Sequence, residues 1–246
     1  MVKLEVPVFS IDSALIAQSA GADRLELCSG FPEGGTTPSY ATIKLAKELI
    51  SIPVNIMIRP RGGDFLYSEM EFEIMKSDIE YCKGIGVNGV VFGILNPDGS
   101  VDKSRCEKLV KIAKPISVTF HRAFDRAINP FEAIEDIVEI GFDRILTSGQ
   151  QTTALLGAEL ISQLIAKAKD KIIIMPGCGI NSKNLLDIRK ITGAIEFHAS
   201  AKKTIPSGMN YNNNIFIGAD GGIEHFTISA NHEEISKLKR ILNENI

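Results

Sequence analysis

Eight strand-like segments separated by helix-like stretches run the length of the 246-residue chain, and this alternation constrains the fold more than any other feature. The predicted strands are residues 4–9, 24–28, 54–59, 90–94, 116–121, 144–148, 171–175 and 195–198. Helix signals fill the gaps. Thr37 precedes Pro38 at a first helical position, and Ser68 with Glu71 and Asn231 with Glu234 fit capping boxes. Gly21, Gly86 and Gly141 each close a helix just before the next strand. Eight strand–helix units in about 250 residues are the count of a closed barrel. The expected fold is therefore α/β, a single (β/α)8 TIM-barrel domain over residues 1–246. An open doubly wound sheet would need a glycine-rich fingerprint after the first strand, but Phe9-Ser10-Ile11-Asp12 has no glycine. No nucleotide cofactor is expected. Residues 201–230 fit neither pattern and read as a long loop, a lid or subunit contact, with Asn212-Asn213-Asn214 and Asp220-Gly221-Gly222 inside it.

A short phrase recurs half a chain apart. Gly21-Ala22-Asp23-Arg24-Leu25 resembles Gly141-Phe142-Asp143-Arg144-Ile145, and Met57-Ile58-Arg59-Pro60-Arg61-Gly62 answers Ile174-Met175-Pro176-Gly177. Strands two and six, and three and seven, would then correspond in two four-unit halves. The bland alternative is chance recurrence of a common glycine–strand phrase.

The net charge of −3, with no basic block, gives no reason to expect nucleic acid or an anionic membrane as partner. No apolar run approaches the roughly 20 residues that span a bilayer. The start, Met1-Val2-Lys3-Leu4-Glu5, lacks a secretory pattern, and Cys28, Cys82, Cys106 and Cys178 form no CxxC pair. Reduced thiols and a cytoplasmic location are expected.

Period-two alternation then sorts the strands. Residues facing the helices are apolar, so polar residues of opposite parity point into the barrel. By this rule Glu5, Glu26, Cys28, Asn55, Met57, Arg59, Ser117, Thr119, His121, Glu196 and His198 face inward. Glu196, Glu5, Glu26 and Arg59 would share one wall, three carboxylates against one guanidinium, which calls for a raised carboxyl pKa, a cation or a cationic ligand. Arg59, His121 and Cys28 end their strands on the face that carries barrel active sites. Glu26, Arg59 and His121 are the candidate catalytic residues. Arg61, with glycine turns after strands seven and eight, points to an anion or phosphate site, for which Ser148, Gly177, Gly179 and Ser200 are candidates. Cys28 and Cys178 are the thiols on this face. Cys82 and Cys106 lie in helical stretches and read as core, and the methionines form no copper-type motif.

At these motifs the sequence resembles the copper homeostasis protein CutC family. Residues 24–35 (RLELCSGFPEGG), 57–65 (MIRPRGGDF), 120–125 (FHRAFD), 146–150 (LTSGQ), 196–201 (EFHASA) and Ser207-Gly208-Met209 match its blocks in order. The resemblance implies a (β/α)8 barrel, a cytosolic protein of copper tolerance that binds Cu(I), and a homo-oligomer, dimer or tetramer. One departure is Cys178, which stands where the family turn usually has a small residue, most often glycine. Copper homeostasis is therefore the first expectation, with Cys28 as principal Cu(I) ligand and His121 or Cys178 assisting. The alternative is an enzyme acting on a small anionic or phosphorylated metabolite. Glu26 or His121 would then be the acid/base, and Arg59 and Arg61 the clamp.

Overall fold

The computed structural model describes residues 2–211 and 225–244. Eight parallel strands form the barrel wall: β1 (Lys3–Val8), β2 (Arg24–Leu27), β3 (Val54–Met57), β4 (Gly89–Phe92), β5 (Ser117–Phe120), β6 (Arg144–Thr147), β7 (Ile173–Pro176) and β8 (Glu196–His198). They neighbour in the order β7-β6-β5-β4-β3-β2-β1-β8, and a parallel bridge between Gly177 and His198 closes the ring. Each strand is followed by a helix on the outside: α1 (Ile11–Ser19), α2 (Tyr40–Leu49), α3 (Glu69–Gly84), α4 (Lys103–Ala113), α5 (Pro130–Ile140), α6 (Ala158–Ala168), α7 (Leu185–Thr192) and α8 (His232–Asn243). The expected eightfold barrel is the observed one.

The outward strand residues Leu4, Val6, Leu25, Leu27, Ile56, Val118, Phe120 and Phe197 are fully buried against that helical shell. The shell supplies matching apolar stripes, for example Ile235, Leu238 and Leu242 of α8. The main apolar core therefore lies between wall and helices, and the barrel interior mixes buried polar groups with a few apolar side chains such as Met57 and Val91.

Local signals explain the helix ends. Ser68 and Glu71 make the full capping box of α3. At α8 the box is half made. Asn231 accepts from the Glu234 amide, but the Glu234 carboxylate reaches across to the Ser182 amide at 2.6 Å and hydroxyl at 3.0 Å. The α2 helix begins later than Thr37-Pro38 implies. Ser39 is its N-cap, because the Thr37 hydroxyl is taken by the Arg59 amide at 2.9 Å.

The repeated phrase is structural. Gly21 and Gly141 both sit at φ +95, a left-handed turn that glycine adopts without steric cost. The aspartates after them do the same task. Asp23 accepts the Leu4 amide at 2.7 Å, and Asp143 accepts the Val118 amide at 2.7 Å. Lys239 and Lys114 respectively neutralise them.

The segment expected as a loop over 201–230 is paired at its two ends. β9 (Lys202–Pro206) and β10 (Phe226–Ala230) form an antiparallel ribbon beside α1, where the Ala230 amide meets the Ser13 hydroxyl. Alternating apolar Ile205, Phe226 and Ile228 in a polar stretch carried that strand signal. Asn212-Asn213-Asn214 and Asp220-Gly221-Gly222 lie outside the described residues.

Candidate functional site

The barrel interior is built in layers that follow the strand register. In the lowest layer Glu5 lies opposite Arg24, and Glu196 opposite Lys3. The Arg24 guanidinium pairs with Glu5 and donates to Glu196 Oε2 at 2.7 Å. Arg144, its counterpart in the second half-barrel, donates to the same Glu196 oxygen at 2.7 Å and to the Ser117 hydroxyl at 3.0 Å. Burial raises the Glu196 carboxyl pKa, but Arg144 and then Arg24 outweigh it and hold the group below the usual carboxylate range. The expected excess of negative charge on this wall is thus cancelled from below. Three buried carboxylates, Glu5, Glu26 and Glu196, meet Arg24, Arg144 and His198.

One layer up, toward the C-terminal ends of the strands, Glu26 is the hub. Its Oε2 accepts from His198 Nε2 at 3.1 Å and lies 3.6 Å from Cys28 Sγ. His198 Nε2 is also 3.9 Å from Glu5 Oε1. Among the described residues Glu5, Glu26 and His198 bring one ligand atom each within 4.8 Å of one another, close enough to hold an ion. Glu5 Oε1 and Glu26 Oε1 are buried and carry no hydrogen bond. Such orphaned oxygens are uncommon in interiors and mark a place where a ligand completes the bonding.

The charges there are set by the pairing. Burial alone raises the Glu26 carboxyl pKa, but the charge and hydrogen bond of His198, with the Cys28 hydrogen bond after them, pull it below the ordinary range. Burial disfavours the His198 imidazolium, yet Glu26 and then Glu5 overcome this and raise its pKa. The Cys28 thiol is pushed well above its ordinary value, by burial first and by the Glu26 carboxylate second, so it rests as a neutral S–H. Cys28 shares a small buried cluster with Met57 of β3 and Val91 of β4. A Cβ at Gly35 would stand 3.4 Å from Cys28 Sγ and 3.6 Å from the Met57 Cε methyl, so the two side chains flank the same glycine. No methionine copper motif is visible in the sequence, because linear spacing hides a cross-strand neighbour.

Above this layer a cavity of about 240 Å³ opens at the mouth, lined by Glu26, Met57, Arg59, Phe65, His121, Leu146 and His198 among others. Arg59 is nearly immobilised. Its guanidinium donates to the carbonyls of Glu33 at 2.6 Å, Gly35 at 2.8 Å and Gly63 at 2.9 Å, pinning the loops after β2 and β3, and it lies over the Phe65 ring. His121 caps the short 3-10 turn Arg122–Arg126: its Nδ1 accepts the Ala123 amide at 3.2 Å. Burial, then the charge of Arg59, pushes the His121 pKa down to about 3. Its Nε2 is buried and has no partner. Among the described residues, a larger recess of about 540 Å³ between α1, the ribbon and the loop after β2 has Asp12 as its one ionisable lining residue.

The structure thus brings Glu26, Arg59, His121 and Cys28 together, and adds His198, Glu5 and Met57. The other candidates go elsewhere. Arg61 leaves the mouth to pair with Glu71 at 2.6 Å and Asp64 at 2.9 Å. The Ser148 hydroxyl is held by Asp125, Arg122 and the Gln151 carbonyl. Gly177 lies in the bridge to His198, where a Cβ would run into Leu146, while Gly179 and Ser200 are exposed. Cys178 sits on the loop after β7 with its thiol 3.2 Å from the Thr152 carbonyl, and it does not line the cavity. Its φ of +81 is the backbone region that favours glycine.

A sequence profile described as the CutC family matches residues 2–203. A human protein named copper homeostasis protein cutC homolog is 46% identical over 239 residues, covering 97% of this chain and 87% of that protein. A CutC family protein of Parabacteroides distasonis is 49% identical, covering 94% of this chain and 97% of its own. Among solved structures, the CutC protein from Streptococcus agalactiae superposes with a TM-score of 0.78 at 32% identity, over 81% of this chain and 99% of that one. Phosphoribosyl anthranilate isomerase from Thermotoga maritima, at 15% identity and a TM-score of 0.59, shares the fold alone.

Proposed function

Because this chain belongs to the CutC family, we propose that it is a copper-handling protein that holds Cu(I) at the barrel mouth between Cys28 and His198. One observation carries the reading: a single carboxylate oxygen, Glu26 Oε2, has an imidazole nitrogen 3.1 Å away and a thiol sulfur 3.6 Å away. Thiolate, thioether and imidazole are the donors that soft Cu(I) prefers, and Met57, buried in one cluster with Cys28, is the candidate thioether.

The charge balance favours Cu(I) over a divalent ion. The pocket is buried and near neutral, and the resting thiol carries a proton. Exchange of that proton for a monovalent cation leaves the charge of the site unchanged, whereas a divalent ion adds a positive charge in a low-dielectric space. Glu26, already bonded to the thiol, is the group placed to pass the displaced proton out of the site, so that the charge stays unchanged. Such chemistry requires reduced thiols, and Cys28, Cys82, Cys106 and Cys178 are all free. The cytoplasm meets that requirement.

Anaerobic Cu(I) titration against a competing chelator tests the proposal. One ion per chain is expected for the wild type. Cys28→Ser abolishes tight binding, Met57→Leu weakens it about ten-fold, and Cys178→Ser leaves it unchanged. Undiminished affinity in Cys28→Ser would remove the proposed site.

A further inference from the structure

We propose that the loop after β2, residues 30–35, is a lid over the Cys28 thiol, latched by Arg59, and that its opening governs access to the sulfur. The purpose of such a lid rests on the proposed Cu(I) site, but the lid itself is read without copper.

The thiol is closed off. Cys28 is 2% exposed and does not line the mouth cavity. The loop stands between the two. A Cβ at Gly35 would be 3.4 Å from Cys28 Sγ and 3.6 Å from Cys28 Cβ, whereas Glu33 and Gly34 line the cavity. A ligand that comes through the mouth to this sulfur must first displace the loop.

The loop is built to move as one piece. Ser29 and Thr36 close its neck through two backbone hydrogen bonds of 2.9 and 2.8 Å. Inside it the Gly35 amide donates to the Gly30 carbonyl at 3.0 Å, the Glu33 amide to the same carbonyl at 3.1 Å, and the Gly34 amide to the Phe31 carbonyl at 3.1 Å. These bonds travel with the loop, so lifting it leaves their donors and acceptors paired. Gly30 at φ +59 and Gly35 at φ +101 flank the moving part, and residues without a Cβ leave and regain such angles at little steric cost.

Its attachments to the barrel are few. Among the described residues, the hydrogen bonds that tie residues 30–35 to the barrel beyond the neck come from one side chain. Arg59 donates to the Glu33 carbonyl at 2.6 Å and the Gly35 carbonyl at 2.8 Å, and its third bond, at 2.9 Å, holds Gly63 of the loop after β3. Phe31 is the second anchor: its ring meets Phe9 edge-on at 5.2 Å and lies 4.2 Å from the Lys202 ammonium. Hydrogen bonds from a charged donor are the stronger kind, so Arg59 is the main latch. Opening costs this buried guanidinium two of its three carbonyl acceptors, which keeps the open form rare.

Thiol labelling of copper-free protein reads the opening. Wild type, Arg59→Met, Arg59→Lys and Phe31→Ala, each checked for folding by circular dichroism, are incubated with iodoacetamide, and each cysteine is followed by mass spectrometry. Cys82 of α3 and Cys106 of α4, buried in the core between wall and helices, report global unfolding in the same sample. The expected result is a rise in Cys28 labelling of about ten-fold or more in Arg59→Met, and a smaller rise in Arg59→Lys and Phe31→Ala, with Cys82 and Cys106 unchanged. Loss of the Arg59 charge by itself makes the thiol harder to ionise and slows labelling, so a faster rate in Arg59→Met reports opening. Equal Cys28 rates in wild type and Arg59→Met overturn the proposal, as does a rise that Cys82 and Cys106 share. If the Arg59 variants do not fold, Phe31→Ala decides by the same two criteria. None of these outcomes involves copper, so the lid and the Cu(I) site fail separately.

Discussion

Glu196→Gln removes one charge from the barrel floor and measures what holds the interior together. Its Oε2 accepts from Arg24 and Arg144, each at 2.7 Å, and the side chain is 4% exposed. In the variant the amide offers a weaker acceptor. Arg24 keeps Glu5, but of the two side-chain hydrogen bonds of Arg144 only the one to Ser117 remains. Removing one partner of a buried ion pair leaves an uncompensated charge, a loss of about 4 kcal/mol. For a domain of this size that is about 8–16 °C in Tm. Chemical denaturation followed by circular dichroism gives the free energy, and calorimetry the Tm. The double variant Glu196→Gln/Arg144→Gln should lose less than the sum of the two single changes, because no guanidinium is then stranded. A single-variant loss below about 1 kcal/mol, or strict additivity, would refute the view that this network is a coupled floor.

Other consequences are equally direct. His121 is neutral in the fold down to pH about 3 but protonates near 6.5 when unfolded, so the unfolded state binds more protons between those values. Stability should therefore fall by about 1.4 kcal/mol for each pH unit of acidification in that window, and His121→Gln should remove that part of the slope in denaturation series from pH 6 to 4. The depressed Glu196 carboxyl acts further down: its contribution is present above the ordinary carboxylate range and is lost as pH falls through its lower folded value. Cys178→Gly should stabilise the protein by about 1 kcal/mol, seen as a higher Tm, because φ +81 strains a side-chain-bearing residue. Iodoacetamide followed by mass spectrometry should label half-buried Cys178 at least ten-fold faster than Cys28, whose buried thiol is held protonated.

The barrel was legible because strand and helix periods alternate without interruption, and inward parity correctly located Glu5, Glu26, Cys28, Asn55, Arg59, Thr119, His121 and Glu196 in the buried interior. Arg144 was missed as an interior group although the repeated Gly-x-Asp-Arg phrase pairs it with Arg24. The signal was present, but a charged residue at a strand's first position reads as exposed until the floor carboxylate it meets is known. His198 was placed inside yet not among the site residues, since its partner Glu26 is far away in sequence and adjacent only once the ring closes through β1 and β8. Arg59 was legible by position but not by occupation, because the carbonyls of Glu33, Gly35 and Gly63 are set by loop conformation that no residue pattern encodes. The same holds for Ser148, whose hydroxyl Asp125 claims.

The central claim is that copper meets sulfur and imidazole together at the mouth. X-ray absorption on protein loaded anaerobically with one equivalent of Cu(I) tests it most directly. The expected result is a first shell of sulfur from Cys28 and Met57 with one imidazole from His198, and loss of that signature in Cys28→Ser. A shell of nitrogen and oxygen alone, or a sulfur shell unchanged in Cys28→Ser, would contradict it.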